Sequence, residues 1–161
     1  SNTASYAASV NAVTVSLTTG TGTAGDANGD ALANIQNLTG SALADTLTGD
    51  ANNNVLLGGD GDDTLQGMAG ADTINGEGGI NTASYAASAT AVTVSLTSGS
   101  GSAGDAAGDT LTRIQNLTGS ALADTLIGDA NPNLLFGGDG DDRSEERRVG
   151  KERRSRWSPY H

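Results

Sequence analysis

GGDGDDTLQGMAGADTIN, Gly58 to Asn75, is two nine-residue units in succession. Each unit opens on Gly, carries Gly at the fourth place, Asp at the sixth (Asp63, Asp72) and an aliphatic residue at the eighth (Leu65, Ile74). The phase continues on both sides: Gly recurs at 40, 49, 58, 67 and 76, and Leu47, Leu56, Leu65 and Ile74 hold one common place. Gly tolerates the positive φ of sharp turns. The first six residues of a unit therefore read as a turn with exposed carbonyls and one carboxylate. The last three (TLQ, TIN) read as a short strand whose single aliphatic side chain points inward, because strand side chains alternate. Two units close one coil with two strands, so turns on the same side recur every 18 residues. A flexible acidic linker would also be rich in Gly and Asp, but it has no reason to hold glycines and aliphatics in one phase.

The pattern GGxGxDxUx, with U aliphatic, resembles the RTX (hemolysin-type) calcium-binding nonapeptide repeat of large bacterial proteins secreted by the type I route. The resemblance implies an all-β fold, a right-handed parallel β-roll (a β-solenoid) with calcium-binding turns, interrupted here by short β spacers. The chemistry agrees: calcium is a hard cation that takes roughly six to eight oxygens from carboxylates and carbonyls alike. The resemblance also implies a ligand set for each ion: carbonyls two and four and the sixth side chain of one unit, with carbonyls one and three and the sixth side chain of the unit 18 residues on. Carried onto this chain, one site uses the carbonyls of Ser41, Leu43, Gly58 and Asp60 with Asp45 and Asp63. A second uses the carbonyls of Asp50, Asn52, Gly67 and Ala69 with Asn54 and Asp72. A third uses the carbonyls of Gly59, Gly61, Gly76 and Gly78 with Asp63 and Asn81. Asn in place of one Asp makes the second and third weaker. A fourth uses the carbonyls of Ser120, Leu122, Gly137 and Asp139 with Asp124 and Asp142.

Of 161 residues 24 are Gly, with one Phe and one Trp, which argues against a thick globular core. Before Arg143 there are 16 Asp and Glu against one basic residue, Arg113. Such a chain repels itself and stays disordered without a counter-ion. Calcium would neutralise the carboxylates and staple the turns. Nucleic acid is excluded as a partner of this acidic part. Cys is absent, so there is no disulfide framework. No run of 18 apolar residues exists, so no membrane span is expected. The chain has neither an initiator Met nor a signal peptide and reads as an internal fragment.

Residues 2–63 and 81–142 align without gaps at an offset of 79, with 49 of 62 positions identical. The chain is thus about two copies of one module, and neighbouring repeats are expected partners of each other. The domains expected are a spacer over 1–39, a nonapeptide roll over 40–84, a second spacer over 85–118, a truncated second array over 119–142, and a tail over 143–161. In the first spacer, Val13, Val15 and Leu17 alternate with Thr14 and Ser16 as a strand with one buried face. Thr18 to Ala24 reads as a small-residue loop. Asp30 and Leu32 sit at places six and eight of an irregular nonapeptide. Asp26, Asn28 and Asp30 also mimic the start of an EF-hand, but Ala31 and Asn37 stand where that loop needs Gly and Glu. An Asx-rich turn is the better reading of 26–30, with metal binding there and at 105–109 left open. Asn34 to Thr39 brings Ile35 and Leu38 inward and leads into the roll.

At Arg143 the composition changes. RSEERRVGKERRSRWSPYH carries seven of the eight basic residues and interrupts a unit that opened as GGDGDD. With Glu145 assigned to the eighth place, a carboxylate would stand in the apolar inner row. One reading is a basic arm for nucleic acid or anionic lipid. The other is non-native sequence: the string resembles the translation of a common short-read sequencing adapter, with Arg153 where one codon would read Cys.

Residues 1–142 contain neither His nor Cys, which excludes an HExxH zinc site and a Ser-His triad. Every Asp cluster in the arrays falls in a phased turn. The reading that results is a structural module rather than an enzyme: a calcium-dependent repeat unit of a secreted bacterial protein, unfolded at cytosolic calcium and folding outside the cell. The resemblance implies the type I secretion machinery as a further partner. Near-identical tandem copies favour an adhesin or surface-protein stalk as the parent. The alternative is an appendage of a secreted protease, lipase or polysaccharide-modifying enzyme. A third reading is a calcium-free solenoid binding ice or glycan through its Thr rows.

Overall fold

The computed structural model describes residues 1–145. Within them the last three residues of every array unit become a strand, as their alternation requires. The strands are β1 (Thr3–Ser5), β2 (Thr14–Ser16), β3 (Thr21–Ala24), β4 (Asn37–Thr39), β5 (Thr46–Thr48), β6 (Val55–Leu57), β7 (Thr64–Gln66) and β8 (Thr73–Asn75). They continue as β9 (Thr82–Ser84), β10 (Thr93–Ser95), β11 (Ser100–Ala103), β12 (Thr110–Thr112), β13 (Asn116–Thr118), β14 (Thr125–Ile127), β15 (Leu134–Phe136) and β16 (Arg143–Glu145). Helix among the described residues is limited to two single 3₁₀ turns, Gly25–Ala27 and Gly104–Ala106.

Within the arrays successive strands fall alternately into two sheets, so parallel partners there are 18 residues apart: Leu47 faces Leu65, and Leu56 faces Ile74. One sheet has the order β1-β4-β6-β8-β12-β11-β10-β14-β16, the other β15-β13-β9-β7-β5-β2-β3. The coils enclose a single file of side chains. Leu38, Leu47, Leu56, Leu65, Ile74, Ala83 and Leu126 are fully buried, and Leu117 nearly so. Register is strongly fixed because a slip of one residue would turn this file out to solvent. Each buried Leu or Ile contributes roughly 1.5–3 kcal/mol, so the file is a thin core for a chain this long.

The spacers belong to the same two sheets. Val13 and Val15 are buried as the alternation predicts, and β2 pairs parallel with β5. The expectation of a loop over Thr18 to Ala24 is corrected: Thr21 to Ala24 form β3, antiparallel to β2. The small residues explain it. Gly22 lies so close to Ala27 that a Cβ there would collide with the Ala27 carbonyl and methyl. Only a Gly-rich strand can pass there. In the second copy the equivalent hairpin, β10 and β11, lies in the other sheet, and β12 continues it onto β8 in parallel register.

A second correction concerns the tail. Arg143 to Glu145 pair with β14 in the register Leu126 to Ser144 and Ile127 to Glu145. Ser144, not Glu145, takes the eighth place, counted from Gly137; Glu145 falls on an outward position and is exposed. The readings of the tail as a basic arm or as non-native sequence concern residues that, from Glu146 on, lie outside the described ones.

Candidate metal centres

The turns stack as the coil repeat demands. Gly59 and Gly61, at places two and four, have φ of +100° and +106°. A Cβ on Gly59 would collide with the Ser41 carbonyl oxygen, and one on Gly61 would lie 2.5 Å from the Leu43 carbonyl carbon. Thus the turn from Gly58 to Asp63 lies directly on the turn from Gly40 to Asp45, with the carbonyls of Ser41 and Leu43 between them. Gly138 and Gly140 stand in the same way against Ser120 and Leu122.

Sixth-place side chains form a buried row on this stack. Asp45, Asn54, Asp63, Asp72, Asn81 and Asp124 are each at most 2% exposed. They are linked 18 residues apart by one repeated hydrogen bond: the Asp45 N–H donates to Asp63 Oδ1 (2.8 Å), Asn54 to Asp72 (2.8 Å), Asp63 to Asn81 (2.9 Å) and Asp124 to Asp142 (2.9 Å). The partner atoms differ along the row. Asp45 Oδ1 accepts from the Val13 N–H (2.7 Å), and its carboxylate also takes the Ser41 N–H and hydroxyl. Asp124 is held likewise by Val92 and Ser120. By contrast Asp63 Oδ2, Asp72 Oδ2 and Asp142 Oδ2 are buried without any hydrogen-bond partner.

Unpartnered buried carboxylate oxygens are costly in an apolar protein interior. Their cost appears in the proton affinities. Burial, reinforced by the neighbouring Asp45, Asp62 and Glu77 carboxylates and opposed by the Asp45 N–H, pushes Asp63 up to about 6. Burial, with Asp109, Asp50 and Asp105 adding to it and the Asn54 N–H opposing, pushes Asp72 up to about 7. A cation beside the free oxygens would relieve both burial and repulsion. Among the described residues no three Asp, Glu, His or Cys side chains converge. Any ion in the stack must therefore draw on backbone carbonyls, which suits calcium rather than a softer metal.

The candidate sites are not equal. The first (Ser41, Leu43, Asp45, Gly58, Asp60, Asp63) and the fourth (Ser120, Leu122, Asp124, Gly137, Asp139, Asp142) bring two carboxylates together with one free oxygen each. The second (Asp50, Asn52, Asn54, Gly67, Ala69, Asp72) has one carboxylate in the row. Asn54 Oδ1 there already accepts the Asp50 N–H, and its Nδ2 donates to the Gln36 carbonyl. The third is the most occupied by protein. The Gly59 carbonyl accepts the Gly78 N–H, and the Gly78 carbonyl accepts Asn81 Nδ2.

The row runs one step further than the nonapeptides do. Asp72 donates its N–H to Asp109 Oδ1 (2.8 Å), and Leu111 pairs with Ile74. Asp109 is buried at 1% exposure, and its Oδ2 accepts the Tyr85 hydroxyl at 2.8 Å. Here protein supplies the partner. Places six and eight of this segment are legible in the sequence; the tyrosine is not, although Tyr precedes Asp by 24 residues in both copies. The turn before Asp109 is also closed on itself, since the Ala106 carbonyl accepts the Asp109 N–H. It does not resemble the open turns of the arrays.

A family model described as RTX calcium-binding nonapeptide repeat (4 copies) matches residues 39–65, 48–83 and 118–144. Those stretches carry RTX calcium-binding nonapeptide repeats. The matched stretches contain all four candidate sites, and the unmatched residues are mainly the spacers. RTX repeats bind calcium and are structural, not catalytic, units; they occur in secreted bacterial proteins. No curated protein matches the chain. Among the described residues no helix is long and apolar enough to cross a membrane.

Proposed function

We propose that this chain is a calcium-dependent structural module whose arrays fold when calcium reaches them outside the cell. The observation that carries the reading is the row of buried carboxylates with unpartnered oxygens at Asp63, Asp72 and Asp142, each stacked on a turn with inward carbonyls. The residues of the four candidate sites hold the ions, the first and fourth most firmly because each has two carboxylates. Bound calcium supplies the positive charge that lets those carboxylates stay ionised while buried. The chain's own part is to order the carbonyls through Gly59, Gly61, Gly138 and Gly140 and to fix the row by its 18-residue hydrogen bonds.

Weak extracellular calcium sites have Kd of roughly 10⁻⁴ to 10⁻³ M. The module is then open in cytosol and folded at extracellular calcium, consistent with export as an extended chain by a type I route. Two near-identical copies in tandem support a stalk of an adhesin or surface protein as the parent. The division into spacers at 1–39 and 85–118, rolls at 40–84 and 119–142 and a foreign tail from 143 belongs to this proposal. Isothermal titration calorimetry with calcium is the test. Asp63→Asn and Asp142→Asn should each weaken binding by tenfold or more, a loss of about 1.4 kcal/mol, while Asp105→Asn should leave it unchanged. Equal binding by all three variants overturns the assignment.

A further inference from the structure

The two module copies meet different surroundings, and the difference exposes a surface. In the second copy the spacer closes the end of the first array. Asp109 Oδ1 accepts the Asp72 N–H, Thr110 donates its N–H to the Asp72 carbonyl (2.8 Å), and the Thr112 carbonyl accepts the Gly76 N–H (3.0 Å). In the adjacent sheet Thr82 donates its N–H to the Asp63 carbonyl (2.8 Å), and Asn81 Oδ1 accepts the Asp63 N–H. Asn81 is fully buried, Asp109 is 1% exposed and Leu111 6%.

The first copy presents the same groups 79 residues earlier as Asp30, Ala31, Ala33, Asn2 and Thr3, and all five are exposed. Leu32, the counterpart of Leu111, is half-buried. The face is nevertheless already formed. Tyr6 donates its hydroxyl to Asp30 Oδ2 (2.8 Å), as Tyr85 does to Asp109. Gln36 Oε1 accepts the Asn2 N–H (2.8 Å), as Gln115 Oε1 accepts that of Asn81 (2.7 Å). β1 and residues 31–33 offer one edge in each of the two sheets.

We infer that this end face is a docking surface for the end of another β-roll, one whose last two strands have the sequence of residues 58–75. The occupant's last strand pairs in parallel with residues 31–33, its penultimate strand pairs with β1, and its final sixth-place Asp donates its N–H to Asp30. A single extended peptide satisfies only one of the two edges. A roll end satisfies both, in the register that β7, β8, β9 and β12 show inside this chain. Edge strands of this kind are templates for pairing. The surface thus joins module to module into a continuous roll, with the spacer as the joint. This inference does not rest on calcium, because the joint seen inside the chain is made of protein hydrogen bonds.

Hydrogen exchange read by NMR tests it on the full chain with a second copy of residues 58–80 inserted between Ser1 and Asn2. The Thr64 amide, donating to the Asp45 carbonyl, reports that the roll is folded in the chosen buffer. Under those conditions the amides of Ala31 and Thr3 should slow at least about tenfold relative to the parent chain, as buried pairing requires, and approach the rates of Thr110 and Thr82. Unchanged exchange at Ala31 and Thr3 with Thr64 still protected overturns the inference. So does equal protection from an insert of the same composition in scrambled order.

Discussion

The nonapeptide arrays and the spacers answer the same problem in different ways. In the arrays and in the second spacer alike, a sixth-place carboxylate is buried beside a strand that contributes one side chain to the core. In the arrays the inner file is one Leu or Ile deep, and Asp63, Asp72 and Asp142 each keep an oxygen without a protein partner. In the spacers the core thickens with Tyr85, Val92, Val94 and Ala106, and Asp109 receives the Tyr85 hydroxyl. Where an array begins, Asp45 and Asp124 are satisfied by Val13 and Val92 of the preceding spacer. Dependence on an ion therefore falls on Asp63, Asp72 and Asp142, while Asp45, Asp109 and Asp124 find their partners in protein.

The largest way to break this contrast is Asp63→Ala, since Asp63 takes part in two candidate sites. At tenfold excess over Kd each ion contributes about 1.4 kcal/mol, so the variant should lose about 3 kcal/mol of stability in calcium. Chemical denaturation in saturating calcium measures it. Gly59→Ala should cost about 2 kcal/mol or more by the same assay, because φ of +100° and the Ser41 carbonyl both oppose a side chain. Tyr85→Phe should cost about 1.5 kcal/mol by removing a buried bond to a carboxylate, whereas Tyr6→Phe, whose partner Asp30 is exposed, should cost about 0.5 kcal/mol. Equal losses at the two tyrosines would erase the distinction between a covered and an open spacer.

A modest effect sharpens the comparison through pH. Burial raises Asp72 to about 7 in the ion-free roll, far above its unfolded value. Protons therefore bind the folded form preferentially, and the stabilisation is full below the unfolded pKa and lost as pH rises through about 7. Without calcium the roll should gain about 1 kcal/mol from Asp72 between pH 7 and pH 6. With calcium the calcium midpoint should move to higher concentration over the same interval, because protons compete for the same oxygens. The residual β signal in chelator and the calcium midpoint, both read by circular dichroism at the two pH values, separate the two signs.

Much of this was legible from spacing alone. Gly at every ninth residue, with Asp sixth and Leu or Ile eighth, dictates turn, strand and inward side chain, and the 18-residue register follows. The hairpin over Thr21 to Ala24 was not legible, because its strand is made of Gly, Thr and Ala, whose value lies in letting Gly22 pass beneath Ala27 rather than in any apolar pattern. The pairing of Tyr85 with Asp109 was hidden for a related reason: the two come together only when the spacer folds across the end of an array. Likewise the unequal fate of the row, satisfied at Asp45 and unpartnered at Asp63, depends on Val13, 32 residues from Asp45 in sequence.

Far-UV circular dichroism of the chain during a calcium titration, from chelator into the millimolar range, tests the central claim most directly. The account predicts a cooperative change from coil to β structure that is abolished by Asp63→Ala and retained by Asp105→Asn. A spectrum already rich in β structure in chelator, unchanged by calcium, would contradict it.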